Sequence, residues 1–114
     1  MTDLDFDEYQ RLAARTAEYP GRDGDHPAIY PFIGLPGEAG EVADHGKKIV
    51  RDDEGRLTDD RRDDIAKELG DVLWYVAAIC DELGLEMSDV ARRNVEKLAD
   101  RQERGVIQGE GDER

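Results

Sequence analysis

Two acidic pairs carry the chemistry of this chain: Glu38-x-x-Glu41, in GLPGEAGEVADHGKKIV, and Glu68-x-x-Asp71, in IAKELGDVLWYVAAICDEL. A three-residue step keeps both carboxylates of each pair on one helical face. The apolar stripe beside the first pair is Leu35, Ala39, Val42, Ile49 and Val50, and beside the second it is Ile65, Leu69, Val72, Val76, Ile79 and Leu83. In both segments the acids border the stripe. If the stripes pack together, four carboxylates converge at the edge of a core, which is costly unless a cation neutralises them. One such pair on its own is an ordinary solvated helix face. Two pairs beside apolar stripes on neighbouring helices point to a divalent-metal site with Glu38, Glu41, Glu68 and Asp71 as ligands. An all-oxygen donor set favours Mg²⁺ or Mn²⁺ over Zn²⁺. A di-iron carboxylate bundle would instead need Glu-x-x-His, and neither Glu38 nor Glu68 has a histidine three residues on.

Other groups return to the same faces. His45 and Tyr75 lie seven residues past Glu38 and Glu68. The ordinary expectation is a solvated or satisfied histidine and a packing tyrosine with its hydroxyl at the site edge. Lys48 is in phase with Glu41 and could clamp phosphates, although the carbonyl end of a helix attracts cations in any case. Asn94, Lys97 and Arg101 follow an i, i+3, i+7 pattern beside Val90 and Leu98, which reads either as a solvated face or as a polar strip bordering the same core. Trp74 falls off the main stripe of its helix and points to a contact with another helix or subunit. Ser88 is the only serine and reads as a helix cap, so a serine triad is excluded. The glycines at 34, 37 and 40 are not followed by Gly-Lys-Ser/Thr and make no phosphate loop.

The elements that must position these groups are helices. Residues 1–19 form helix one, with Phe6, Tyr9, Leu12, Ala13 and Ala17 on its apolar face, and Pro20-Gly21 stops it. Residues 20–34 are a Pro- and Gly-rich loop, longer than compact domains usually carry and therefore a candidate functional segment. Helix two covers 35–51, with Pro36 in a first-turn position. A polar connection spans 52–60, helix three 61–84 with Gly84 as its stop, and helix four 88–104 with Ser88 as its cap. The Gly-rich tail, 105–114, is mobile unless it folds over a site. No strand-type alternation competes. The expected architecture is one all-α domain over 1–114, an antiparallel four-helix bundle completed by oligomerisation, as a homodimer or homotetramer.

Composition narrows the partners. The 114 residues carry 29 acids against 16 basic groups, a formal charge of −13. Such a field repels nucleic-acid backbones and anionic membranes, so neither is an expected partner. Abundant Asp and Arg with scarce Lys suit either a salt-rich cell interior or GC-rich coding. The single cysteine, Cys80, allows no intrachain disulfide and falls on an apolar face, where it reads as a structural thiol. With no leader-like or membrane-length apolar run, the expected location is the cytoplasm.

The stretches GLPGEAGEVADHGKKIVRDD and KELGDVLWYVAAICDELGLEMSDVARRNVEKLADRQERG resemble the MazG-like nucleotide pyrophosphohydrolases, relatives of the all-α dUTP pyrophosphatases and phosphoribosyl-ATP pyrophosphohydrolases. In that family E-E-x-x-E and a later E-x-x-D bind Mg²⁺ on neighbouring helices. The matching positions here are Glu38, Glu41, Glu68 and Asp71, and Asn94, Lys97 and Leu98 resemble the family's Asn-x-x-Lys-Leu pattern. The chain departs at Gly37, where the motif has its first acid. The resemblance implies Mg²⁺-dependent cleavage of a nucleoside triphosphate between its α and β phosphates, in nucleotide-pool housekeeping. Glu38 and Glu41 would be the catalytic carboxylates, and Lys48, Asn94, Lys97 and Arg101 would contact substrate. Two alternatives stay open: a non-catalytic acidic interaction module, and a hydrolase of the same fold acting on dUTP or a phosphoribosyl-nucleotide.

Overall fold

A computed structural model describes residues 3–114. Among them are four α-helices and no strand: α1 (Phe6–Ala13), α2 (Ile29–Asp52), α3 (Asp59–Glu82) and α4 (Met87–Glu103). The all-α expectation therefore holds.

Each boundary has a local cause, and several differ from the sequence reading. Asp5 caps α1 by accepting from the Glu8 amide at 2.7 Å. The helix ends at Ala13 rather than near residue 19, tightening into one 3₁₀ turn over Ala14–Thr16. There the Thr16 hydroxyl donates back to the Ala13 carbonyl at 3.1 Å and accepts from Trp74 Nε1 at 2.8 Å, so tertiary contact draws the chain off its helical path. Helix α2 starts six residues before residue 35, which shortens the expected loop. Pro31 sits in the first turn, where a missing N–H costs nothing, but Pro36 lies inside the helix and removes one ladder bond. Reading Pro36 as a start signal was wrong because packing of the preceding turn on α3 holds the helix together through it.

Thr58 caps α3 by accepting from the Arg61 amide at 3.1 Å. Ser88 does not cap α4. That helix starts at Met87 and is capped from across the fold: the Met87 amide donates to Gln10 Oε1 at 2.7 Å, and the Ser88 amide to Asp7 Oδ1 at 3.3 Å. Gln10 is itself buried, and its amide nitrogen donates to Asp81 Oδ1 (2.7 Å) and the Leu85 carbonyl (2.9 Å), tying α1 to the α3–α4 corner.

Two packed zones result. The buried core is Ala13, Ala77, Cys80 and Met87, with Tyr9, Trp74, Val76, Leu85 and Val90 against it, where α1, the end of α3 and the start of α4 meet. Trp74 thus contacts another helix, as its off-stripe position suggested. The second zone is the α2–α3 hairpin, whose stripes are only partly covered: Val50, Leu69 and Leu83 remain at least half exposed. Its tightest point is Gly34, where any Cβ would overlap the Tyr75 ring. The tail folds back on α4: Asp112 is held by Lys97 at 2.9 Å and by Arg101, and Arg114 donates to the Val106, Gly111 and Ile107 carbonyls.

Gly34→Ala is expected to destabilise the chain by about 1–3 kcal/mol through this overlap. Gly46→Ala, in the same helix with open space around it, should stabilise by about 0.4–1 kcal/mol. Urea unfolding of both variants checks the pair; the same sign for both would refute the close approach at Tyr75.

Candidate functional site

Helix α2 presents Glu38 one turn after Gly34, and α3 presents Asp71 one turn before Tyr75. The glycine contact therefore fixes how closely the two acidic edges approach. Glu38, Glu68 and Asp71 each offer a carboxylate oxygen, and these oxygens all lie within 4.8 Å of one another. Oxygens around an octahedral Mg²⁺ with bonds of about 2.1 Å stand about 3 Å apart when adjacent and about 4.2 Å apart when opposed, so side-chain rotation would have to draw the three together around an ion. Glu41, one turn further along α2, is exposed and stands outside this group of three.

Electrostatics show what the crowding costs. Burial pushes the Glu38 carboxyl above its ordinary range, and Asp71, a hydrogen bond with Glu68, and the charges of Glu68 and Glu41 push it the same way. Two tyrosines border the acids. Tyr75 is raised above its usual value by burial, and then by Tyr30, Glu38 and Asp71. Tyr9, on α1, is raised by burial and then by Asp71. These two phenols serve as neutral walls beside the carboxylates.

His45 is not solvated. Its Nε2 faces Glu68 Oε1 at 3.8 Å, and its Nδ1 lies 3.2 Å from an Arg61 guanidinium nitrogen. Arg61 in turn donates to Asp53 Oδ2 at 3.0 Å. Sequence reasoning missed Arg61 and Asp53. Arg61 stands seven residues before Glu68, so the step that led forward to Tyr75 would, taken backward, have found it.

The basic residues behave differently from the acids. Lys48 turns to Asp44 at 2.9 Å, and together with Lys47 at 3.0 Å it holds that carboxyl down to about 2. Asn94 and Lys97 line a shallow concavity of about 280 Å³ with Val90 and Arg93 on α4. That helix packs on α1 and α3 but not on α2, so a single chain does not bring them to the carboxylates. Arg101 is buried, and its Nη2 donates to both a main-chain and a side-chain oxygen of Asp112. It ties the tail to α4.

An apolar groove of about 460 Å³ runs along the start of α2, lined among others by Pro20, His26, Ile29, Tyr30 and Ile33. It lies in the segment that read as a functional loop. The groove ends a little over one helical turn before Glu38.

Comparison with known proteins places this geometry. The model of the MazG nucleotide pyrophosphohydrolase domain matches residues 33–106, which include all three clustered acids, His45 and α4. The Gene 37 protein of Mycobacterium phage L5 is 51% identical over 115 residues, covering 97% of this chain and 100% of that protein. No solved structure matches. The chain belongs to the MazG nucleotide pyrophosphohydrolase family.

Proposed function

We propose that this chain is a Mg²⁺- or Mn²⁺-dependent nucleoside triphosphate pyrophosphohydrolase, converting (d)NTP and water to (d)NMP and pyrophosphate. The observation that carries the reading is the ion-sized set of Glu38, Glu68 and Asp71 on the α2–α3 seam, inside the segment that matches the family. The donor set fits a hard divalent cation: three carboxylates, one of which has its ionisation disfavoured by burial and by the neighbouring acids. Bound there, the cation would polarise the substrate's phosphoryl oxygens and lower the pKa of water.

The remaining work falls to this chain's side chains. Glu38, Glu68 and Asp71 hold the cation. Glu41 stands beside them and open to solvent, and we assign it to completing the ion's ligands and orienting the attacking water, where Gly37 supplies no acid. Lys48 is one turn past Asp44 and swings from it to substrate phosphate. The α–β phosphoanhydride breaks as the water oxygen bonds to the α phosphorus, and pyrophosphate leaves with charge that cations must stabilise.

Asn94 and Lys97 reach that charge only if a second copy brings its α4 to the α2–α3 seam. Two features support an oligomer. The radius of gyration is 17.1 Å, against roughly 13 Å for a compact chain of this length. Phe32, Ile33, Leu69, Leu73, Val95 and Leu98 are all more than 40% exposed. The reading is a homodimer or homotetramer. No described helix is long and apolar enough to cross a membrane, and with the acidic composition this supports a cytoplasmic protein that binds neither membrane nor nucleic acid.

A panel of NTPs, dNTPs, dUTP and phosphoribosyl-ATP, read by pyrophosphate release with Mg²⁺, is expected to show turnover. Asp71→Asn or Glu68→Gln should lower it more than about 100-fold, beyond the usual cost of losing a ligand's supporting partner, with helicity unchanged. Folded protein that releases no pyrophosphate and takes up no Mn²⁺ would leave an acidic interaction module. Preference for dUTP or the phosphoribosyl substrate would instead select the narrower hydrolase.

The pH dependence of Mg²⁺ stabilisation is a separate check. Glu38 ionises at higher pH in the folded chain than in the unfolded one. Its ionisation penalty is therefore absent below the ordinary carboxylate range and fully present above the raised value. Saturating Mg²⁺, at about 100 times its Kd, should add about 2.7 kcal/mol near pH 7.5. The gain should shrink towards about pH 5, where protons compete for the site. Equal gains at both values would count against crowded carboxylates as the binding site.

Sedimentation velocity should give a dimer or tetramer, and Leu69→Glu or Val95→Glu should shift it towards monomer and reduce turnover. A wild-type monomer with full activity would exclude the shared site.

A further inference from the structure

We propose that His45 is a positioning residue that orients Glu68 for the metal, and that Arg61 and Asp53 lock it in the one tautomer able to do so. This inference rests on the metal-dependent reading above. It names residues that the acidic motifs do not include, and nothing in the family match assigns them a role.

Arg61 has only donors, so at 3.2 Å its partner, His45 Nδ1, must accept. An imidazole that accepts at Nδ1 carries its proton on Nε2, and Nε2 is the atom that faces Glu68 Oε1 at 3.8 Å. The ring is therefore held with its N–H aimed at a carboxylate of the proposed site. The separation exceeds a direct hydrogen bond by several tenths of an ångström. Such contacts commonly tighten only when the ligand arrives, and here the Glu68 carboxylate need only rotate slightly.

Arg61 cannot drift from this arrangement, because its Nε donates to Asp53 Oδ2 at 3.0 Å. The Asp53, Arg61, His45 and Glu68 side chains are 17%, 17%, 14% and 22% exposed, which leaves the row partly shielded from competing water. Its far end is set by the backbone. Asp53 terminates α2, where the Asp53 and Gly55 amides both donate to the Ile49 carbonyl, at 3.2 and 2.9 Å. Glu54 and Gly55 follow with positive φ of 57° and 76°. Arg61 enters on the first turn of α3, directly after the Thr58 cap. The turn between the two metal-bearing helices is thus coupled, through three side chains, to the direction in which one proposed ligand points. Glu68 needs this support because Glu38 and Asp71 each bring a carboxylate oxygen within 4.8 Å of its own, and His45 fixes which way its carboxylate points between them.

The test combines spectroscopy with metal binding. Two-bond ¹H–¹⁵N spectra of the wild-type chain, which has only two histidines, should show His45 as the Nε2–H tautomer, with His26→Asn making the assignment. Arg61→Ala should give a tautomer mixture. In Mn²⁺ titration calorimetry, His45→Leu should weaken binding by about 10–100-fold. His45→Gln, whose amide can accept from Arg61 and donate to Glu68, should recover most of the loss. A wild-type Nδ1–H tautomer would overturn the proposal without any variant. Wild-type Mn²⁺ affinity in folded His45→Leu would overturn it while leaving the pyrophosphohydrolase reading intact. Absence of Mn²⁺ uptake and of pyrophosphate release by the wild type would overturn both.

Discussion

Glu38, Glu68 and Asp71 repel one another across the seam between α2 and α3, and much of the surrounding structure answers to that repulsion. Their nearest oxygens lie within 4.8 Å of one another, close enough for each charge to disfavour its neighbours. Burial and the neighbouring acids raise the Glu38 carboxyl above its ordinary range. The price is a hairpin whose best-packed feature is also its least comfortable one. A chain under selection for stability alone would place these acids apart, and their convergence argues that the seam is built to bind.

The packing of the two zones follows from this division. Around Ala77, Cys80 and Met87 the side chains are small and closely fitted, and Gln10 saturates the corner with three hydrogen bonds, two given and one accepted. That zone makes a rigid anchor for the C-terminal half of α3. The hairpin is held differently, by the glycine-to-ring contact at Gly34 and Tyr75 and by the Asp53–Arg61 tie at the turn. Its outer apolar residues Val50 and Leu69 stay at least half exposed. Side chains at the edge of a partly covered core have more room to rearrange than those in a fully packed one.

Much of this was legible in the residues. The ExxE and ExxD spacings placed Glu38, Glu68 and Asp71 on facing edges because a three-residue step is a property of any α-helix, independent of partners. The heptad step reached Tyr75 and brought His45 to the correct face. What could not be read was how far along α2 the helix extends: Pro36 is a local start signal, and only the Gly34–Tyr75 approach outweighs it. Likewise Ser88 has the chemistry of a cap, but the Gln10 and Asp7 oxygens that cap α4 lie more than seventy residues earlier in the chain.

Sequence alone determined the helical class, the phase of the acidic pairs and the negative net charge, since all three depend on residue type and short-range spacing. Tertiary structure decided which acids meet. It left Glu41 on the rim, buried Arg101 beneath the tail, and drew His45 and Arg61 into line with Glu68. The meeting of the acids and their alignment with His45 depend on the approach of α2 against α3, set by Gly34 against the Tyr75 ring and by the Asp53–Arg61 tie across the turn, and helical periodicity alone does not encode it.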